Sequence, residues 1–337
     1  MRDVAGRAGV STATVSIVLN SSGDTERRVT SLTRQRVVAA ALELGYVANQ
    51  AARGLRRGRT EQITLALRWP DSPWTQGMAV AIGEVAEQNG YSAVLLASGD
   101  WQGYLSKGLA DGAVIDAVAD QAFDLTTIQP LLARGMAIVL LNNFVEPDGF
   151  DVVRSNELAV CKQAVNALID AGHRRIACLR NDVDDPPNLV GERYAAYQET
   201  LAERGVPIRP SLIRHVGGSR ELAFQASLEL LQRGRNRPTA IYAASDLAAI
   251  SALWAARRLG LDVPGDVEIL GTGNSPEGVY TDPPLSSIGP RQPDFAAVGE
   301  LVFSRLNAAK PLPARVHRQE WCLVPRGTAL ASWTPEG

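Results

Sequence analysis

An α/β fold is predicted for this chain: a three-helix N-terminal head followed by a two-lobed body built on doubly wound parallel sheets. Three observations carry the prediction. The chain opens with two short helical patterns joined by a glycine turn, and a third follows. From residue 61 onward, short apolar strand-like runs alternate with amphipathic helical runs, the order that yields parallel strands covered by helices on both faces. Charge is also divided between the parts. Residues 1–60 carry ten arginines and four acids, a net of +6, whereas the remainder carries 24 basic and 32 acidic residues, a net of −8. A basic head on an acidic body is the asymmetry of a chain whose one end meets phosphates, although a solvated basic face has the same composition.

At 337 residues the chain exceeds one compact core and has room for two or three domains. No run approaches the roughly 18 consecutive apolar residues that would span a membrane. The opening Met1-Arg2-Asp3-Val4 has no apolar core followed by a small-residue cleavage site. A cytoplasmic protein with no membrane partner is therefore expected. Cys161, Cys178 and Cys322 lie far apart, and His173, His215 and His317 do not cluster with them. A zinc site needs clustered Cys and His, so buried free thiols and no cofactor or metal are expected.

In the first helix Val4, Ala5 and Ala8 share one face. Gly9 follows, free to take the positive φ of a tight helix–helix turn. Ser11 is placed to cap the second helix by accepting a backbone N–H. That helix, about 12–19, sends Val15, Val18 and Leu19 inward and leaves Thr12, Ala13, Ser16 and Ile17 on its other face. A third helix begins at Thr30, runs through Val37, Val38, Ala41, Leu42 and Leu44, and can end at Gly45. In this order and spacing, with this charge, three small helices make a helix-turn-helix whose second helix enters the DNA major groove. A plain three-helix bundle would share the individual helices. The next segment, Asn49-Gln50-Ala51-Ala52-Arg53-Gly54-Leu55, is helical in pattern and leads into Arg56-Arg57-Gly58-Arg59. A helix this short is not stable alone in water, so it is either a basic linker or a helix that folds on a partner.

In the body, strand-like runs at 63–67, 91–97, 113–115, 137–141, 175–179, 212–216, 239–243 and 267–271 alternate with helical runs. The helical runs cover 77–88, a stretch ending near Arg134, then 160–171, 189–204, 222–233 and 247–259. Two such lobes place a ligand in the cleft at the strand carboxyl ends. Signals for catalysis are weak. Gly271-x-Gly273 follows a strand, but the next glycine is Gly278 and Pro276 interrupts the would-be helix start. No phosphate-binding Gly-x-x-x-x-Gly-Lys-Ser/Thr loop or Gly-x-Ser-x-Gly elbow occurs. Asp182, Asp184 and Asp185 sit beside Pro186-Pro187, as in a solvated loop, with no His or Cys nearby. An enzyme is not expected.

These residues carry a family resemblance. Asp3-Val4-Ala5, Ala8-Gly9-Val10-Ser11, Thr14-Val15-Ser16 and Leu19-Asn20 resemble the headpiece of the lac repressor (LacI/GalR) family, as do Thr33-Arg34-Gln35-Arg36-Val37, Leu44-Gly45-Tyr46, Asn49 and Ala52-Arg53-Gly54-Leu55. Further matches are Ala110-Asp111-Gly112, Ala171-Gly172-His173-Arg174-Arg175, Arg237-Pro238-Thr239, Leu259-Gly260-Leu261 and Asp282-Pro283-Pro284-Leu285. The resemblance covers nearly the whole chain. It implies a helix-turn-helix domain over 1–46, a hinge over 47–60 and an effector-binding and dimerisation domain over 61–337 with the type I periplasmic-binding-protein-like fold. The N-lobe would span about 61–153 and 290–319, and the C-lobe about 154–289 and 320–330.

The resemblance also implies roles. Thr12, Ala13, Ser16 and Ile17 would face base edges, while Ser11, Thr14, Asn20, Thr30, Thr33, Arg34 and Tyr46 would hold the backbone and fix register. Asn49, Ala52 and Leu55 would belong to a hinge that folds on DNA, with Leu55 wedged in the minor groove. Arg193, Asn142 and the Ser245-Asp246 pair would line the effector cleft, and Gly273 and Asn274 stand where the family has an acidic pair or Asp-Asn. Trp74 has two open readings, stacking on a sugar face or ordinary packing. His173 would be structural, at a helix-to-strand turn. The partners implied are double-stranded operator DNA, a small-molecule effector of the carbohydrate class, and a second copy in a homodimer. The default control is repression relieved by ligand, with corepression as the other sense. A solute-binding protein for sugar uptake is the competing function, and a sugar-modifying enzyme is third.

Several departures from the family pattern stand out. Gly273 replaces an aspartate that often binds hydroxyls. The 98–109 stretch is short for the helix found there and is expected to reduce to a turn. The loop 21–28 is longer than usual. The family's lead-in ahead of the first helix has no counterpart before Met1, which leaves open whether the true start lies upstream. Ile17 replaces an arginine that commonly reads a guanine; isoleucine cannot donate bidentate hydrogen bonds but can contact a thymine methyl. The preferred half-site is therefore expected to differ from the usual family sequence at that base pair. Selection from a randomised operator pool, followed by titration, checks this; equal affinity for the usual guanine-bearing half-site and a substituted one would refute it.

Overall fold

The computed structural model describes residues 1–20, 29–46, 58–68, 70, 72–97, 99–116, 123–181 and 192–330. The chain divides into two compact units, Met1–Glu61 and Gln62–Gly337.

The first unit holds three helices, α1 (Arg2–Ala8), α2 (Thr12–Asn20) and α3 (Ser31–Glu43). Local chemistry sets their ends. Gly9 is left-handed at φ 62°, closing α1, and Ser11 Oγ accepts the Thr14 backbone N–H at 3.1 Å to open α2. Thr30 Oγ1 caps α3 through the Thr33 N–H at 3.3 Å, and Gly45, at φ 58°, lets Tyr46 N–H reach the Ala41 carbonyl. Val4, Ala5, Ala8, Val15, Val18, Val37, Ala40 and Ala41 form the buried core. Val38 and Leu42, apolar residues along the same helix, are 41% and 78% exposed. Three short helices bury one stripe of α3, the 37/40/41 stripe, and residues 38 and 42 lie about 100° around the helix from it. Leu44 lies beyond the last helical residue and is exposed.

The second unit runs β1 (Gln62–Ala66), α4 (Pro73–Gln88), β2 (Ser92–Leu95), α5 (Trp101–Ser106), β3 (Gly112–Asp116), α6 (Gln129–Ala133), β4 (Ala137–Leu141) and β5 (Asp151–Ser155). It continues with α7 (Glu157–Asp170), β6 (Ile176–Arg180), α8 (Glu192–Glu203), β7 (Ile213–His215), α9 (Arg220–Leu231), β8 (Ala240–Ala243), α10 (Asp246–Arg258) and β9 (Glu268–Thr272). The last described elements are β10 (Ser286–Gly289), α11 (Phe295–Leu306), β11 (Val316–Gln319) and β12 (Cys322–Val324).

The strands form two six-stranded sheets, ordered β11-β5-β4-β3-β1-β2 and β12-β10-β9-β8-β6-β7. Every pairing is parallel except β10 with β12. This is the doubly wound architecture predicted from the alternation. Each sheet is covered on both faces by an apolar cluster: α4 and α11 against α5 and α6 in the N-lobe, α7 and α8 against α9 and α10 in the C-lobe. The chain passes between sheets after β5, after β10 and after β11. The alternation pattern had not named β5, β10, α11, β11 or β12. The 98–109 stretch is not merely a turn. Asp100 accepts the Gly103 N–H at 2.8 Å and caps the six-residue α5, which anchors itself through fully buried Leu105.

The N-lobe edge is tied by one carboxylate. Asp151, fully buried at the start of β5, accepts from Arg305 Nη2 and Nε at 2.5 and 2.9 Å, from Arg315 Nη2 at 2.7 Å and from the Arg315 backbone N–H. It joins β5, α11 and the approach to β11. Burial alone would raise its pKa, but the two guanidiniums override that and hold it below the usual carboxylate range. The depressed pKa supplies stability above the unfolded carboxylate value, about 3.9, and that stability is lost as pH falls through the folded value. Asp151→Ala is expected to lower the stability of the body by about 3–5 kcal/mol, because it strands a buried arginine. Urea unfolding at neutral pH measures it, and a loss below about 1 kcal/mol would show the triad to be dispensable.

Candidate DNA-reading head and ligand cleft

In the head, Thr12 and Ala13 are exposed at the N-terminus of α2, and Ser16 and Ile17 are half-buried further along it. The helix contains no charged residue, so it presents small and apolar groups together with the partial positive charge of its N-terminus. Ser11 and Thr14 share a hydrogen bond between their hydroxyls at 2.9 Å, as do Thr30 and Thr33. The sequence-predicted backbone contacts thus sit at the starts of α2 and α3, where free N–H groups favour anions. Arg34 is half-buried on α3, and Tyr46 packs against the head core. Asn20 is the last residue of α2. Asn49, Ala52 and Leu55, like the 21–28 loop, lie outside the described residues.

In the body, a cleft of about 1010 Å3, open solvent at its mouth included, lies between the two sheets. The strand carboxyl ends supply much of its lining: Asp116 from β3, Leu141 from β4, Ser155 from β5, Thr272 from β9 and Gln319 from β11. Among the sequence-predicted effector residues, Trp74, Asn142, Arg193, Ser245, Asp246 and Gly273 all line it. Asn274 does not. Its Nδ2 donates to the Pro290 carbonyl at 2.7 Å and its Oδ1 accepts from Arg326 at 2.6 Å, so the side chain is turned away and spent on the β9–β10 turn.

Asp246 shapes the C-lobe wall. Its Oδ1 accepts from Ser287 Oγ and its Oδ2 from the Ser275 N–H, both at 2.5 Å. Burial pushes its carboxyl above the ordinary range, against those hydrogen bonds. A Cβ at Gly271 would stand 2.2 Å from its Oδ1, so only glycine fits there. Arg193, on the first turn of α8, donates through Nε to Glu157 and through Nη1 to the Ala244 carbonyl at 2.6 Å, with its guanidinium 5.4 Å over the Trp321 ring. Trp74 packs edge-on against Phe295 at 4.6 Å and lies 5.9 Å from Trp321, so it is both a packed residue and a cleft wall. Asn142 is buried, and its Oδ1 accepts the Phe144 and Val145 N–H groups, making the turn after β4.

Sequence reasoning missed Arg68, Asp116, Asn143, Glu157, Asn181, Ser275, Gln319 and Trp321 in the lining. Most lie at or just beyond the carboxyl end of a strand, the signal that could have found them. Arg68 pairs with Asp116 at 3.5 Å across the N-lobe rim. The indole N–H of Trp321 is buried with no acceptor among the described residues. Burial pushes the Cys161 thiol up to about 12, helped by Glu157, so it stays a neutral thiol. His173 binds Thr239 Oγ1 at 2.9 Å in the turn before β6, a structural contact. Among the described residues no cluster of His, Cys, Asp or Glu could hold a metal, and no helix is long and apolar enough to cross a membrane.

Residues 1–49 match the model of the bacterial regulatory proteins of the lacI family, and residues 165–329 match the periplasmic binding protein-like domain. The HTH-type transcriptional regulator reg1 of Streptomyces lividans is 32% identical over 86% of this chain and 84% of its own. This chain belongs to the lacI family of bacterial regulatory proteins. The regulator is also 29% identical to HTH-type transcriptional regulator DegA of Bacillus subtilis (strain 168), over 99% of this chain and 97% of that one. Among solved structures, a complex of the transcriptional regulator CelR with cellobiose superposes at TM-score 0.63 with 28% identity, covering 97% and 99% of the two chains. A lac repressor dimer bound to operator and the anti-inducer ONPF superposes at TM-score 0.68 with 26% identity, covering 98% of each chain. The regulator is thus a DNA-binding transcription regulator and not an enzyme. A solute-binding protein for uptake, which needs only the body, is set aside by the matched head.

Gly273 is the position at which the regulator departs from the family's acidic residue. Its φ is +126°, its N–H donates to the Ile288 carbonyl at 2.6 Å, and a Cβ there would lie 3.5 Å from Asp246 Oδ2. An aspartate would be strained and would face a second carboxylate. Gly273→Asp is therefore expected to destabilise the body by roughly 1–3 kcal/mol, measured by urea unfolding. An unchanged midpoint would show that the backbone relaxes freely.

Proposed function

We propose that the regulator is a homodimeric, sequence-specific repressor whose operator affinity is set by a neutral, polyhydroxylated ligand of saccharide size in the interlobe cleft. One observation carries this reading. The cleft presents two arginines already matched to carboxylates, Arg68 with Asp116 and Arg193 with Glu157, beside the indole rings of Trp74 and Trp321. Guanidinium and carboxylate side by side suit paired hydroxyls, which both donate and accept. Flat aromatic walls suit the apolar faces of a sugar ring. With Asp246 also in the lining, no surplus positive charge is left for a phosphate among the described lining residues. The unpartnered Trp321 N–H offers one further donor. CelR, a similar protein, is described in complex with cellobiose.

In this reading Thr12, Ala13, Ser16 and Ile17 read base edges, and Asn49, Ala52 and Leu55 fold as hinge on the operator. Two heads need two half-sites, which requires the dimer. Ligand and DNA act on one equilibrium, so each changes the affinity for the other by the same factor. A thermal-shift panel of neutral mono- and disaccharides and their phosphates tests the ligand class. Each hit is then carried into operator titrations on selected DNA. A neutral saccharide is expected to raise the body's Tm and weaken operator binding at least about fivefold. Preferential binding of a sugar phosphate overturns the ligand class, and a stabilising saccharide without effect on DNA affinity overturns the switch.

A further inference from the structure

Asn143 follows β4 at the N-lobe rim of the cleft, and its amide is fully committed. Its Oδ1 accepts the Ser155 backbone N–H at 2.7 Å. Its Nδ2 donates to Ser155 Oγ at 3.3 Å and to Glu192 Oε2 at 2.5 Å. Ser155 ends β5, so the first two bonds stay within the N-lobe sheet. Glu192 opens α8, which is anchored in the C-lobe core through Tyr194, Ala196 and Tyr197. The Asn143–Glu192 bond therefore joins one lobe to the other. We infer that Asn143 and Glu192 form an interlobe clasp that sets how far the cleft opens. The clasp deepens the proposed cleft switch and rests on that reading, since lobe spacing is what the ligand would have to change.

Three features support the clasp. The first is its place: Asn143 and Ser155 line the cleft, as does Arg193, the neighbour of Glu192. A ligand hydroxyl that takes the Asn143 amide competes with Glu192, and one that engages Arg193 acts on the same turn of α8. The second is the contrast with an aromatic contact between the lobes. Trp74 belongs to the N-lobe core and also packs on the C-lobe cluster that holds Trp321. That contact is apolar and non-directional, whereas the clasp is a single directional bond that can be made or broken.

The third is electrostatic. Among the described residues no cation pairs with Glu192 within salt-bridge distance. Burial, and then the Glu157 carboxylate at the start of α7, push it up to about 7, against the Asn143 bond and Arg193 on its own helix. Among the described residues, the N-lobe partner that bonds it is the neutral Asn143. Opening the clasp would remove that bond, which lowers the Glu192 pKa, but would also return the carboxyl to water; burial is the larger effect, so closing takes up a proton. The raised pKa belongs to the closed form. Closure is thus favoured at lower pH and loses that advantage as pH rises through about 7.

The test needs no ligand and uses the full chain. Spin labels are placed at exposed Lys107→Cys in the N-lobe and Arg235→Cys in the C-lobe, in a Cys322→Ser background that retains the fully buried Cys161 and Cys178. Interlobe distances are then measured by pulsed electron resonance across the pH range around neutrality. Wild type is expected to lengthen or broaden with rising pH, with a midpoint near 7. Glu192→Gln, whose amide can still accept from Asn143, is expected to stay closed with no pH dependence. Asn143→Ala and Glu192→Ala are expected to be open throughout. A wild-type distribution in Asn143→Ala, or a retained pH profile in Glu192→Gln, overturns the clasp. If Glu192→Ala does not fold, the other two variants decide the matter. Because no saccharide is used, failure here is distinct from failure of the ligand screen.

Discussion

The cleft depends on a buried carboxylate that has no ion-pair partner within contact among the described residues. Asp246 opens α10 with both oxygens occupied, one by the Ser287 hydroxyl and one by the Ser275 N–H. A charge in that position is tolerated only because hydrogen bonds replace its water. Its demands propagate outward. Gly271 has to be glycine because Asp246 fills the space a Cβ would need. Ser287 has to sit opposite the end of β9, which sets the β9–β10 register. The chain then turns through Gly273 and Asn274, both at positive φ, and Asn274 is locked to Pro290 and Arg326. One side chain thereby decides where the C-lobe wall of the cleft stands, and why the residue at 273 contributes backbone rather than a side chain.

The N-lobe solves a similar problem differently. Asp151 is equally buried but carries two arginines, and it lies at the β5–β11 edge, away from the ligand. A carboxylate with two guanidiniums is saturated and serves to hold strands together. A carboxylate held only by hydroxyl and amide groups, like Asp246, can sit at a binding surface without presenting a net positive field. The same division runs through the cleft, where Arg68 and Arg193 each come with a carboxylate. The described lining thus offers matched donors and acceptors together with aromatic walls.

In the head the order is reversed. Helix α2 carries no charged side chain, while ten arginines lie elsewhere in the first sixty residues of the sequence. In the proposed reading, affinity from the phosphates and selectivity from the groove face would be supplied by different residues. That separation would let Ile17 alter the preferred base pair without loss of the electrostatic attraction to DNA.

The sequence alone determined the head and the alternation of the body, because both rest on local rules. Capping serine and threonine, glycine at left-handed turns and the 3.6-residue apolar stripe act within a few neighbours, and Ser11, Gly9, Thr30 and Gly45 do what their chemistry implies. Part of the cleft was legible too, in Trp74, Asn142, Arg193, Ser245, Asp246 and Gly273. Only the tertiary structure decided the rest. β11 lies beside β5, with Val316 opposite Val152, and that long-range pairing brings Gln319 and Trp321 to the cleft. Short edge strands such as β11 and β12 have too few residues for a period to show. Asn274 matches the family motif, yet its side chain points away because Arg326 and Pro290 hold it. Asn143 and Glu192 carry no motif. Their bond exists because two separately folded lobes bring them within reach, and only the packed structure can show that.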